Sequence, residues 1–266
     1  MAAGKPWSRD ELLLIMNLYC RIPFGRQHQR SPEVIQLASV LGRTPSSVAM
    51  KMNNFTSLDP KEKSRGVRGL SGASKLDLSV WNEFHSGWEN MAEESESLWQ
   101  NRVEGQIKTH AIPDDFSISK CKDSALVQPS GPTEGRREVS IRLSQRFFRR
   151  TVLIDYSVRC CISGIQIPEL LIASHILPWA DFPEHRINPS NGLCLSRMHD
   201  AAFDQGLIAF DENMCVLLSK RFMEFLPNDA IEVNFSAYEG KPLRLPEKFH
   251  PSREFLAKHR EMVFQG

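Results

Sequence analysis

The sequence of 266 residues contains no run of eighteen uninterrupted apolar residues, so a membrane-spanning helix is not expected. Residues 1–7 also lack the apolar stretch of a secretory signal. Six cysteines are too few for a disulfide-stabilised protein of this length, and the absence of any CxxC pair excludes a zinc ribbon or a thioredoxin-type motif. These absences predict a cytoplasmic protein, in a reducing environment and without membrane contact.

The composition is that of a folded globular chain, with 41% hydrophobic and 24% charged residues, and the length suits two domains. A formal net charge of +1 conceals an alternation along the chain. Lys and Arg outnumber Asp and Glu by 11 to 5 in residues 1–70 and by 7 to 3 in residues 129–160, whereas acids prevail elsewhere. Basic blocks favour polyanion binding, but they also serve solubility, so charge alone does not establish nucleic acid as the partner.

The first part of the chain has the signals of three short helices. Ser8 and Glu11 form a capping box, Pro32 and Pro45 occupy the first turns of the next two helices, and Gly42 ends the second. Only residues 42–44 separate the second helix from the third, which is the outline of a helix-turn-helix. We therefore predict a helical, DNA-recognition-like domain over residues 1–105.

The polar side of the third helix predicts where this domain contacts DNA, because short polar side chains and cations bind base edges and phosphates. The candidates are Arg43, Ser47, Lys51 and Asn54. The alternative is that this side is only the solvated face of a helical bundle. A further alternative is that this domain recognises modified cytosine in DNA, which would need a cage of aromatic side chains. Trp7, Tyr19 and Phe24 are aromatic, but their spacing is that of core residues.

Pro, Gly and Ser in residues 106–135 predict a linker, and a second domain is expected over residues 136–266. Within it, residues 139–156 have a helical pattern. Short strands are expected at 160–163, 170–176 and 193–195, followed by a helix over 196–204 and a hairpin of 207–210 with 214–218. The fold class expected for the whole chain is α+β.

Three polar residues stand in the order His, Asn, His within the second domain: His175 ends an apolar strand, Asn191 lies in a turn and His199 lies on the next helix. The flanking sequence segments are FRRTVL at 148–153, RCCISG at 159–164, IASHI at 172–176, NGLCL at 191–195 and HDAAFD at 199–204. This pattern resembles the HNH nucleases of the ββα-metal superfamily, in the subfamily without zinc-knuckle cysteines that often belongs to restriction or anti-phage proteins. The resemblance covers roughly residues 140–220 and continues to the closing segment near Phe249 and His259.

The resemblance implies a role for each residue of the pattern. His175 takes the place of the general base, Asn191 is expected to brace the connecting loop, and His199 is expected to ligate a divalent cation. Mg²⁺ is the expected ion, with Mn²⁺, Ni²⁺ and Zn²⁺ as alternatives that imidazole also accepts. The side chains expected to hold phosphates of the DNA are Arg149, Arg150 and Arg186.

One position departs from the family pattern. Many HNH nucleases have an acid or His directly before the base as a second metal ligand, whereas this chain has Ser174. Either water and phosphate complete the shell of the ion, or Asp200 or Asp204 supplies the missing contact. Asp204 lies about 140° around the helix from His199, which does not favour it.

The resemblance thus implies a metal-dependent DNA endonuclease, a phosphodiester hydrolase of a restriction or antiviral defence system, acting on modified or unmodified DNA. The alternative is a DNA-binding regulator whose HNH fold is inert, with Ser174 as a sign of decay. DNA is the expected partner. Since one active centre cuts one strand, a double-strand break would need either a homodimer or two successive visits.

Overall fold

The computed structural model describes residues 5–60, 72–104 and 132–266, with side chains from residue 141 onward in the last range. The chain divides into two compact units, Met1–Phe147 and Phe148–Gly266. The division falls inside a helix, and most of the expected linker lies outside the described residues. In the described ranges, no helix has both the length and the apolar character needed to cross a membrane.

The first unit contains helices α1 (Arg9–Arg21), α2 (Pro32–Leu41), α3 (Pro45–Leu58), α4 (Lys75–Ser86) and α5 (Trp88–Trp99). The expected capping box of Ser8 and Glu11 starts α1, Gly42 ends α2 with a φ of 62°, and Thr44 caps α3. Helices α4 and α5 meet at Gly87, and a π-helical turn (Gln100–Glu104) follows α5.

Helix α1 is the central element of this unit, because α2, α3, α4 and α5 all pack against it. Its sequence pattern predicts one buried apolar stripe, formed by Leu12, Ile15, Met16 and Tyr19. Leu13, Leu14 and Leu18, which lie outside that stripe, are buried as well. A helix enclosed on every side buries its whole circumference, including polar residues such as Asn17. Asn17 is satisfied there by hydrogen bonds from Nδ2 to Ser95 and Glu96.

The second unit begins within helix α6 (Pro132–Asp155) and continues with β1 (Leu171–His175), β2 (Gly192–Ser196), α7 (Arg197–Asp204), β3 (Ile208–Phe210), β4 (Val216–Leu218), α8 (Asp229–Asn234) and α9 (Arg253–Met262). Strands β1 and β2 are antiparallel, with His175 opposite Gly192. Helix α7 follows β2 directly and packs against both strands. Strands β3 and β4 form the second hairpin, and α9 packs against β3. The fold is α+β, as the sequence predicts.

Two close contacts position the β1–β2 pair. A Cβ atom at Gly192 would lie 2.4 Å from Cγ2 of Val152, so only glycine allows α6 to approach the start of β2 this closely. At the end of α6, Asp155 accepts hydrogen bonds from the backbone N–H groups of Lys248 (2.8 Å) and Phe249 (2.7 Å). These bonds attach the C-terminal segment to the same helix.

The strand expected at 160–163 is wrong. These residues form tight turns, in which the N–H of Gly164 donates to the carbonyl oxygen of Cys160, and Gly164 has a φ of 78°. A left-handed residue and a local hydrogen bond curl the chain, so Cys161 makes a single backbone bond to Cys194 of β2 instead of a ladder.

Candidate active site

His175 is the last residue of β1, and its Nε2 atom lies 2.8 Å from the backbone carbonyl oxygen of Arg186. A carbonyl oxygen can only accept, so Nε2 carries the proton and Nδ1 carries the lone pair. The ring stacks on Phe148 with centroids 4.1 Å apart, and Trp179 meets it edge-on. Burial lowers the pKa of His175 against the opposing effect of the bond to Arg186, which favours the neutral imidazole.

Asn191 is buried and bonds to the loop that connects β1 with β2. Its Oδ1 accepts from the N–H of Leu177 (2.8 Å), and its Nδ2 donates to the carbonyl oxygens of Leu177 (3.3 Å) and His185 (3.2 Å). The backbone carbonyl of Asn191 also accepts from the N–H of Ile176. The Asn191 side chain therefore satisfies groups at the start and in the middle of the loop that begins directly after His175.

His199 is buried in the first turn of α7, with 1% of its surface exposed. Its Nε2 atom lies 2.8 Å from the carbonyl oxygen of Asn234 and therefore donates to it. Its Nδ1 atom accepts from the hydroxyl of Ser196 at 2.8 Å and also lies 3.6 Å from Sγ of Cys160. Both ring nitrogens are engaged within the protein, so neither is available to a cation in this conformation.

Two carboxylates of α7 follow His199: Asp200 is half-buried beside Ser174 of β1, and Asp204 is exposed. Burial raises the pKa of Asp200, and the Ser174 hydroxyl and the charge of Arg197 oppose this rise. Burial and the charge of Asp200 raise the pKa of Asp204 to about 6. The Ser174 hydroxyl is buried and lies beside the Asp200 carboxylate, where it opposes the effect of burial on the pKa of Asp200.

The three arginines expected to bind phosphate already make contacts in the second unit. Arg149 donates to the carbonyl oxygen of Leu171 at the start of β1 (3.0 Å), and Arg150 is half-buried on α6. Arg186 donates from Nε to the carbonyl oxygen of Trp179 (2.7 Å) and lies over that ring. Its terminal N–H groups form no hydrogen bond with a described residue. The bond from Nε holds the guanidinium in place, and the terminal N–H groups can still donate to a ligand.

The expected DNA-binding face of α3 is largely buried, and the expectation that Lys51 and Asn54 lie exposed on it is wrong. Only 5% of Lys51 and 2% of Asn54 are exposed. Nζ of Lys51 lies 2.8 and 2.9 Å from the carboxylate oxygens of Asp77, and Nδ2 of Asn54 lies 3.0 Å from the same group. Helix α4 covers this side of α3. The periodicity of the α3 sequence cannot predict this burial, because the covering helix comes from another part of the chain. Ser46 and Asn53 are exposed, and Ser47 is half-exposed.

Arg43 is also engaged within the first unit. Its guanidinium pairs with Glu11 at 2.9 Å, donates to the carbonyl oxygens of Lys5 and Pro6, and lies 4.2 Å from the centre of the Trp7 ring. Trp7 is therefore a stacking partner of Arg43, and Tyr19 is wholly buried, so these two rings do not line an open cage.

Two of the groups that hold the site residues have no sequence signal of their own. The carbonyl oxygens of Arg186 and Asn234 fix the tautomers of His175 and His199, and a backbone atom carries no residue-type signature. Trp179 has a sequence signal, because it follows His175 closely in the segment HILPW at 175–179. Among the residues that the structure describes, no group of three or more His, Cys, Asp and Glu is placed to hold a metal ion.

Residues 160–211 match a family model described as HNH endonuclease. The matched segment contains β1, β2, α7 and β3, and with them His175, Asn191 and His199. A comparison with curated proteins gives no match. The chain thus carries an HNH endonuclease domain, which confirms the resemblance found in the sequence. Such a domain is a nuclease domain with DNA as the implied substrate, and HNH nucleases generally use divalent metal ions.

Proposed function

We propose that this protein is a metal-dependent DNA endonuclease whose catalytic centre is built on β1, β2 and α7. The observation that carries the proposal is the orientation of His175 inside the matched HNH segment. The Arg186 carbonyl holds the proton on Nε2, so the Nδ1 lone pair is ready to accept a proton. Within the described residues, Nδ1 of His175 has no hydrogen-bond partner. A general base needs such a free nitrogen, because the water that it deprotonates must be able to reach it.

In the proposed reaction Nδ1 of His175 removes a proton from water, and the resulting hydroxide attacks phosphorus. The bond to the 3′-oxygen breaks, and this oxygen leaves with the electron pair and takes a proton from solvent water. Phe148 and the Arg186 carbonyl hold the imidazole plane, and Asn191 holds the loop that carries Arg186. A bound divalent cation would neutralise the charge that grows on the phosphate and the leaving oxygen.

Phosphate binding is assigned to the arginines on the His175 side of the site. Arg186 has terminal N–H groups that make no bond to a described residue, and its backbone already orients the base. A guanidinium can hold two phosphate oxygens at once, which fixes the substrate relative to the base. Arg149 and Arg150 are assigned neighbouring phosphates, because they lie on the turn of α6 that begins with Phe148.

The wider role that we propose is restriction or anti-phage defence, which rests on the resemblance of the sequence to that HNH subfamily. Selection of the DNA site is assigned to the first unit, through the exposed or half-exposed residues Ser46, Ser47 and Asn53 of α3. Ser46 and Ser47 lie in the first turn of α3, which Thr44 caps, and Asn53 lies further along the same helix.

Digestion of plasmid DNA by the full chain tests the proposal. Modified and unmodified DNA are compared in Mg²⁺, in Mn²⁺ and in EDTA. Cleavage that requires metal and disappears in His175→Ala is expected. DNA binding without cleavage under every condition would identify an inert HNH fold and contradict the proposal.

A further inference from the structure

Within the described ranges, three arginine guanidinium groups lie over the ring of a tryptophan. The pairs, with the distance from Cζ to the ring centre, are Arg21 with Trp99 (4.1 Å), Arg43 with Trp7 (4.2 Å) and Arg186 with Trp179 (5.1 Å). A carboxylate completes the first two pairs. Glu96 lies 3.0 Å from Nη2 of Arg21. Glu11 lies 2.9 Å from Nη2 of Arg43. The charge of these two arginines is therefore neutralised inside the protein.

The pair of Arg186 and Trp179 differs, because no carboxylate of a described residue forms an ion pair with Arg186. The backbone carbonyl oxygen of Trp179 accepts a hydrogen bond from Nε of Arg186 at 2.7 Å. Glu184, the nearest acid in the sequence, lies 3.7 Å from Nε2 of His185 instead. Two neutral groups, a carbonyl and an aromatic ring, thus hold this guanidinium, so its positive charge stays available to an anion.

The pair of Arg186 and Trp179 also lies beside the proposed base. The Trp179 ring meets the imidazole of His175 edge-on, with 5.4 Å between centroids, and the Arg186 carbonyl accepts from Nε2 of His175. The three residues therefore contact one another in every combination. The bond to Trp179 uses Nε of Arg186 and leaves the edge formed by the two terminal nitrogens, which can bind two phosphate oxygens at once.

We propose that Trp179 is a positioning residue that holds the Arg186 guanidinium for one phosphate of the DNA, and that this phosphate takes the place that a glutamate has on Arg21 and Arg43. A flat ring against a flat guanidinium restricts the arginine side chain before DNA binds, which lowers the entropy lost on binding. The inference rests on the proposed nuclease function, in which Arg186 binds phosphate. It adds a residue to which that function assigns no role.

The test measures binding of the full chain to a fluorescein-labelled DNA duplex, by fluorescence anisotropy in EDTA and at several salt concentrations. Trp179→Leu keeps an apolar side chain but removes the aromatic face. It should weaken binding about 2- to 30-fold, as the loss of a cation–π contact does. Trp179 carries no charge, yet the slope of log affinity against log salt should become shallower by up to about 0.9, because the weakened phosphate contact belongs to Arg186. A change that only affected packing would leave this slope unaltered.

Two further variants and one control complete the set. Trp179→Phe keeps an aromatic face and should retain the salt slope and most of the affinity of the wild type. In the background of Arg186→Ala, Trp179→Leu should change affinity by less than about two-fold, because both residues act through one contact. Phe225→Leu changes an exposed aromatic residue elsewhere in the same unit and should bind like the wild type.

Three results would overturn the proposal. The first is wild-type affinity in a folded Trp179→Leu protein. The second is an equal loss of affinity on Trp179→Leu with and without Arg186→Ala, which would assign Trp179 to direct DNA contact or to packing. The third is unfolding of both Trp179→Leu and Trp179→Met, whose flexible side chain fills irregular space. It would identify Trp179 as a core residue.

Nuclease activity is assayed separately, with Mg²⁺ or Mn²⁺ added. Coupled losses of DNA affinity without cleavage under any condition would remove the proposed nuclease function and keep the role of Trp179 in phosphate binding. Metal-dependent cleavage with independent losses of affinity would remove that role and keep the function. A wild-type chain that does not bind DNA would contradict both.

Discussion

The imidazole of His175 lies parallel to the ring of Phe148, with 4.1 Å between centroids and 8° between planes, while its Nε2 atom donates to Arg186. Stacking restricts rotation of the ring, and the hydrogen bond distinguishes its two nitrogens. The lone pair of Nδ1 is consequently held in one direction. A side chain with this combination of fixed plane, fixed tautomer and lowered pKa is suited to accept a proton at neutral pH.

Replacement of His175 by Ala is expected to reduce DNA cleavage by about 10²–10⁴-fold, because the general base is lost while the phosphate contacts stay. DNA affinity, measured by fluorescence anisotropy in EDTA, should remain within a few-fold of wild type. His28→Ala changes an exposed histidine of the first unit and is the matched control. If His175→Ala retained more than a tenth of wild-type turnover, the base would have to be another group.

Replacement of Asn191 by Ala should destabilise the second unit and reduce cleavage together. The change leaves the N–H of Leu177 and the carbonyl oxygens of Leu177 and His185 without their partner. Unsatisfied buried groups cost about 1–3 kcal/mol each, so the loss of three partners is expected to lower the free energy of unfolding by about 3 kcal/mol or more. Urea denaturation measures it, and Asn213→Ala at an exposed turn serves as the control. An unchanged midpoint would mean that the loop does not depend on Asn191.

Replacement of Lys51 by Met tests the correction to the DNA-binding face of α3. Asp77 would keep its buried charge without the ammonium group that now lies 2.8 Å away. Breaking a buried ion pair from one side costs about 3–5 kcal/mol, which should appear as a large drop in the thermal midpoint of the protein. Asn53→Ala on the exposed side of the same helix should change stability by less than about 0.5 kcal/mol. A stable Lys51→Met protein with a reduced salt dependence of DNA binding would restore Lys51 as a phosphate contact.

The stability of the second unit should fall in acid through His259. Burial lowers the pKa of this residue to about 4, against the effect of its bond to the Phe203 carbonyl. The pKa of histidine in the unfolded chain is about 6.5. The contribution of neutral His259 to the free energy of unfolding, roughly 3 kcal/mol, is therefore complete above pH 6.5 and is lost as the pH falls through about 4.

Urea unfolding at pH 7 and pH 4.5 measures this loss for wild type and His259→Gln, in which the titrating group is absent. The variant should show the smaller acid destabilisation, whereas His28→Gln should follow wild type. Equal pH dependence of wild type and His259→Gln would show that folding does not lower the pKa of His259.

Local signals in the sequence predict much of the second unit and the start of the first. The Ser8–Glu11 capping box, Gly42 and the prolines at the helix starts act within a few residues, so their effect is readable without tertiary structure. The sequence segments around His175, Asn191 and His199 predict β1, β2 and α7 within a residue or two of their observed bounds. The strand expected at 160–163 was wrong because apolar residues alone do not distinguish a buried turn from a strand.

The availability of each side chain was decided by tertiary structure. Lys51 and Asp77 are 26 residues apart in the sequence, and only the packing of α4 on α3 makes them a buried pair. His199 is likewise engaged by a carbonyl oxygen 35 residues away, which the sequence pattern around His199 does not show. The sequence by itself determined which residue types the site contains, because local pattern and composition carry that information. Which nitrogen, hydroxyl or carboxylate is free to act depends on partners distant along the chain, and folding alone brings those together.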